Sequence, residues 1–192
     1  STRSYSTPAF TLLGAVLEQA AGRPIYQLLE TELFDPYGLS SMRVAFADPD
    51  LVSDYERAVP YDDGGDASSY ADNSWKVLGG GIETDVVDLA RFGWRVLDGQ
   101  IVDAGSRDGR LWTPVDSSCS GPGGGTCRNG VAWILRTRSG RRVAEHDGSW
   151  SGSRSYLRVY RDDGLVIAVL SNRRGHDPSG LIETLASTVL AP

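Results

Sequence analysis

The sequence predicts an α+β fold, an antiparallel sheet flanked by a C-terminal helix and joined to a helical subdomain. Three observations carry this prediction. Apolar residues recur at helical spacing in segments between residues 7 and 99, alternating and continuously apolar runs follow residue 130, and a last helical stripe closes the chain. Helices, then hairpin-linked strands, then one helix is the order of an α+β domain. The expected division is a mostly helical part over 1–128 and strands with the C-terminal helix over 129–192.

In chain order, Thr7 precedes Pro8, so Thr7 is expected to cap the first helix while Pro8 takes the first helical position, where a missing N–H costs nothing. Phe10, Leu13, Leu17 and Ala20 then share one face, and Gly22 stops the helix. Pro24 opens a second helix with Ile25, Leu28, Leu29 and Leu33 inward. Residues 47–73 are polar, acidic and without periodicity, which reads as a long irregular excursion. A third helix begins near Thr84–Asp85, carries Val86, Leu89, Ala90, Gly93, Val96 and Leu97 on one stripe, and ends at Gly99. Val131–Thr137 and Arg141–Glu145 flank a turn at Arg138-Ser139-Gly140, and Asp163-Gly164 joins alternating Ser155–Arg161 to apolar Leu165–Leu170. The final helix, about Ser179–Leu190, is expected to turn Leu181, Leu185 and Val189 inward.

Composition excludes several classes. With a net charge of -6 and no basic run, the chain is a poor ligand for nucleic-acid phosphates. It has no apolar stretch of membrane-spanning length. Cys119 and Cys127 share a Gly/Ser/Pro loop that bends enough to join them, a bond worth about 2.5 kcal/mol on the chain-entropy model. Free thiols are the alternative; a disulfide points to a secreted or periplasmic protein. No histidine stands near them, so no metal site is expected.

Three local sequences carry candidate chemistry: Tyr5-Ser6-Thr7 running into the first helix, Gly79-Gly80-Gly81-Ile82-Glu83-Thr84 running into the third, and His146-Asp147-Gly148 before a Gly/Ser-rich turn and an alternating strand. In this order and spacing they resemble the Y-x-N motif, the glycine-rich turn and the K-T-G motif (in its H-x-G form) of the serine β-lactamase and penicillin-binding-protein family. Its members include class C β-lactamases, D-alanyl-D-alanine carboxypeptidases, esterases and D-aminopeptidases. The resemblance implies an incomplete β-lactamase/transpeptidase-like fold, C-terminal part only, and no cofactor.

Acyl transfer by a serine needs a nucleophile, a base and donors aimed at the developing oxyanion. The resemblance implies that Tyr5 shuttles the proton, that His146 holds Tyr5 or the substrate by a hydrogen bond, and that the Ser149 N–H is one oxyanion donor. Thr7, Asp147 and Gly148 fall at substrate-binding positions. Two of these depart from the family: Thr7 replaces asparagine, and Asp147 replaces a hydroxyl residue, placing negative charge where a substrate carboxylate would dock. Tyr5 as an aromatic anchor, Thr7 as a cap only and His146 as an ordinary strand histidine are the structural alternatives. His176 reads as a solvated loop residue.

The family's S-x-x-K cannot be found: Lys76 is the only lysine, and Asn73 stands three residues before it. The nucleophile, a helix and the first strands are therefore expected upstream, on a segment that stays associated with this chain. The leading function is an acyl-serine hydrolase of an ester, amide or peptide, with the H-x-G form favouring esterase or D-amino-acid peptidase over β-lactamase. Rival readings are a non-catalytic relative that binds peptidoglycan-like ligands or a protein partner, and Ser1 as an N-terminal nucleophile.

Overall fold

A computed structural model describes residues 5–46, 56–115 and 127–190. Ser1, Cys119 and residues 47–55 of the excursion lie outside the described residues.

Helix α1 (Thr7–Ala21) is capped by Ser6, not Thr7: the Ala9 N–H donates to Ser6 Oγ at 3.2 Å, and Thr7 is already helical. Gly22 closes the helix at φ 65°, donating its N–H to the Glu18 carbonyl. The expected apolar face of α1 is not covered by the described chain, since Leu13 and Leu17 are exposed, as are Leu12 and Val16, and only Gly14 is buried. Helix α2 (Ile25–Leu29) runs on into a π-helical turn, Glu30–Phe34, and buries Ile25 and Phe34. Strand β1 (Arg43–Val44) pairs antiparallel with β2 (Ile82–Glu83), and a 3-10 segment, Ser74–Gly79, leads into β2. Helix α3 (Val86–Leu97) starts where expected, with the Asp85 carboxylate accepting from the Asp88 N–H. The short α4 (Ala104–Ser106) continues as a second π-helical turn, Arg107–Leu111.

The sheet is a five-stranded antiparallel meander in chain order: β3 (Cys127–Asn129), β4 (Ile134–Arg138), β5 (Arg141–Trp150), β6 (Ser153–Tyr160) and β7 (Leu165–Ser171). β4 begins later than the apolar pattern suggests, because Ala132 adopts φ 60° and the Gly130 N–H closes a turn onto the Trp133 carbonyl. The β4–β5 turn has positive φ at both Ser139 (48°) and Gly140 (79°), the two-residue geometry that matches strand twist.

Each face of the sheet carries its own core. On one, Leu135, Ala144, Leu157 and Val159 meet Val96, Trp112 and Trp133. On the other, Val143, Tyr156, Tyr160, Ile167 and Val169 meet Ile182 and Ala186 of α5 (Pro178–Val189). The expected inward residues of α5 are thus one position off: Leu181, Leu185 and Val189 are exposed, whereas Ile182 and Ala186 are buried. The α5 face also holds charge. Glu145 accepts from Arg138 at 3.0 Å and Arg158 at 2.7 Å and stands in ion-pair range of Arg136 at 2.9 Å, and Arg158 reaches Glu183 of α5 at 2.9 Å. Burial is tolerated there because each of these charges has an opposite partner.

Candidate active site

The candidate site is built from three elements linked in series, the start of α1, the glycine turn and strand β5. Side chains alternate along β5, so Ala144, His146, Gly148 and Trp150 share the face covered by α3, while Glu145, Asp147 and Ser149 share the α5 face. The register confirms the assignment: His146 lies opposite Leu157, a member of the α3-side core, and Asp147 lies opposite Tyr156 of the other core.

Thr7 packs directly on the glycine-rich turn. A Cβ on Gly79 would stand 2.7 Å from Thr7 Cγ2 and 3.1 Å from its carbonyl oxygen, so no larger residue fits. Gly81 is under similar pressure, its missing Cβ falling 2.8 Å from the Val77 Cα. The turn also reaches β5. Lys76, within Ser74–Gly79, sets its Nζ 3.0 Å from the ring centre of Trp150, four residues beyond His146 on the same face. The start of α1, the glycine turn and the His146 strand therefore form one continuous contact series, Thr7 to Gly79 and Lys76 to Trp150.

His146 is half-buried, and its Nδ1 lies 2.6 Å from the Asp147 carbonyl oxygen. A carbonyl only accepts, so Nδ1 is the donor of this contact and Nε2 is left to face other partners. Gly148 lies against Ser155, whose hydroxyl would have to turn aside for a side chain there. Asp147 does not share the side of the sheet with His146; it lines a small cavity with Arg154, Tyr156, Asp177 and Pro178. Ser149 is exposed at the next position of the strand, opposite Arg154. Tyr5, 68% exposed at the mouth of α1, makes no hydrogen bond to His146 or to another described residue. His176 belongs to a separate open depression of about 330 Å³ with Asp63, Ser171, Arg173 and Gly175, and none of the three motifs lines it.

Lys76 is the feature that motif reading passes over. Tested only as a member of S-x-x-K, it drops out; in the fold it is 4% exposed, and burial lowers its pKa below the usual lysine range. One signal was present in the sequence: a single lysine among 19 basic residues, set next to Trp75.

The family model described as Beta-lactamase matches residues 1–189. Penicillin-binding protein 4* of Bacillus subtilis (strain 168) is 24% identical over 182 residues, covering 88% of this chain and 39% of that protein. The octameric penicillin-binding protein homologue from Pyrococcus abyssi superposes with a TM-score of 0.85 at 19% identity, over 99% of this chain and 43% of its own. D-stereospecific amidohydrolase from a Streptomyces species follows at 0.78 and 23% identity, over 96% and 54%. D-amino acid amidase from Ochrobactrum anthropi SV3, complexed with D-phenylalanine, gives 0.74 at 20% identity, over 100% and 62%. This chain thus spans less than two thirds of each of these relatives. Their shared sheet, the three motifs in order and the match over nearly every residue place the chain in the Beta-lactamase family.

Proposed function

We propose that this chain supplies the Tyr5 and His146 side of an acyl-serine hydrolase site that cleaves an amide, ester or peptide of a D-amino acid. The observation that carries this reading is the contact series that links the start of α1, the glycine turn and the His146 strand. The D-stereospecific amidohydrolase and D-amino acid amidase among the similar structures support the substrate class. In this reading Tyr5 carries the proton between nucleophile and leaving group, Nε2 of His146 orients Tyr5 or the substrate, and the Ser149 N–H faces the oxyanion. Thr7 and Gly148 border the substrate, and Asp147 acts from the other side of the strand.

The serine and lysine of S-x-x-K come from an upstream segment that packs on this chain. The exposed apolar residues of α1 (Leu12, Leu13, Val16 and Leu17) and α5 (Leu181, Leu185 and Val189) offer it two faces. The Cys119–Cys127 disulfide is part of the same proposal, with export to an oxidising compartment. It is supported by the buried Cys127 and by the absence of a free cysteine among the described residues. No helix of the described residues is long and apolar enough to cross a membrane.

The test uses the full-length protein. A fluorophosphonate probe is expected to label it covalently, and Tyr5→Phe is expected to lower turnover of an activated D-amino-acid ester by about two to four orders of magnitude, with Tm unchanged. The second reading, a non-catalytic ligand-binding relative, is favoured by Thr7 in place of asparagine; no labelling in a folded full-length protein would establish it.

A further inference from the structure

Lys76 contrasts with several withdrawn arginines of the molecule, which pair with carboxylates. Arginines 57, 136, 138 and 158 are each within ion-pair distance of a carboxylate. Lys76 has no such partner among the described residues, although the chain holds 25 acidic residues, and its contacts are the indoles of Trp150 at 3.0 Å and Trp75 at 5.8 Å. Indole faces hold an ammonium well but do not neutralise it. A lysine 96% withdrawn from solvent, with no counter-charge among the described residues, bears an unmet electrostatic demand. Both indoles remain largely open to solvent, Trp75 at 59% and Trp150 at 42%, so the position is walled but not closed.

We infer that Lys76, held between Trp75 and Trp150, is the anion-recognising residue of this cleft and takes a carboxylate of the substrate. A single ammonium with apolar walls fits a monoanion joined to an aliphatic or peptide chain; a phosphate dianion calls for more donors than the one cation present. Trp150 and His146 lie four residues apart on one strand face, about 13 Å between Cα atoms. Between them Gly148 contributes no side chain, and the Ser155 hydroxyl lies over it. The recognised carboxylate is therefore remote from the bond that is cleaved, separated from it by up to about four residues' length or an equivalent acyl chain.

This inference rests on the hydrolase reading only for where the scissile bond lies. The test compares two thioester substrates on the full-length protein, glutaryl-D-alanine and pentanoyl-D-alanine, alike except for the terminal carboxylate. Lys76→Met is expected to raise KM for the glutaryl substrate about tenfold or more with kcat within about twofold, to leave the pentanoyl substrate unaffected, and to be partly rescued by Lys76→Arg. Equal losses on both substrates, or no loss on either, overturn the inference. In parallel, 13C-lysine spectra, with Lys76 assigned by its absence in Lys76→Met, follow titration with glutaryl-D-alaninol and pentanoyl-D-alaninol. A shift with the first alone supports the inference; a shift with both or with neither overturns it. A responding Lys76 in a protein that fluorophosphonate does not label would sink the hydrolase reading while leaving the carboxylate site standing.

Discussion

Helices α1 and α3 have similar apolar content and opposite fates. α3 lies on the sheet, with Gly93 and Val96 buried and Leu89, Phe92 and Leu97 packed partly into the core of that face. α1 touches the described chain at the glycine turn, through Thr7 and Gly14, and at α2, where the Ile25 N–H donates to Glu18, and it shows Leu12, Leu13, Val16 and Leu17 to solvent. A helix's apolar stripe states how much cover it needs, not where the cover comes from. For α3 the cover is β6 and β7, on the same chain; for α1 we propose the upstream segment. α5 lies between the two cases, with one stripe seated on the sheet and a second one open.

The sharpest way to break this comparison is at α5. Ile182 is fully buried against the sheet, so Ile182→Ala is expected to cost about 2–5 kcal/mol, read as a fall in Tm, while its neighbour change Leu181→Ala is expected to cost under about 0.5 kcal/mol. Equal losses would show that both stripes are covered. Next comes the seat of α3. A side chain on Gly93 would approach Val166 Cγ1 at 2.8 Å and Leu157 Cδ1 at 2.9 Å, so Gly93→Val should destabilise by about 1–3 kcal/mol through overpacking. The smallest effect is expected on α1. Leu13→Ser with Leu17→Ser should change the stability of this 192-residue chain by under about 0.5 kcal/mol per site, yet weaken the full-length protein by several-fold more. Denaturant midpoints of the two forms check it, and a large loss in the short form would mean that α1 is already covered there.

These helices also mark where sequence reading succeeds and where it stops. Start signals, turn residues and the α+β order were legible because each depends on neighbours in sequence: Asp85 as a cap, Gly22 as a stop, Ser139-Gly140 as a turn. The Ser6 cap was missed by one residue because Ser6 and Thr7 both offer a hydroxyl. The α5 face was missed because Leu181, Ile182, Leu185, Ala186 and Val189 form two adjacent stripes, and only the sheet beneath selects one. Three motifs were found by their order, but Lys76 belongs to none of them. Its significance comes from Trp150, 74 residues away in the chain, and no local spacing encodes that contact.

The meander has one more consequence, in the order of assembly. β3 to β7 follow one another in space as they do in sequence, so each ladder closes a short loop and carries a small entropic cost. The sheet can zip from one hairpin to the next without waiting for distant chain. The Gly152 end of the β5–β6 hairpin is different, because Pro60 and Tyr61 pack against it, and the Tyr61 N–H reaches the Asn172 carbonyl. That contact joins residues more than a hundred positions apart in some pairs, as where Asn172 donates to the Val59 carbonyl. The hairpin carrying His146 is therefore expected to form early and acquire its clamp late, so a hydrogen-exchange pulse during refolding should protect the amides of Leu157 and Val159 before that of Tyr61.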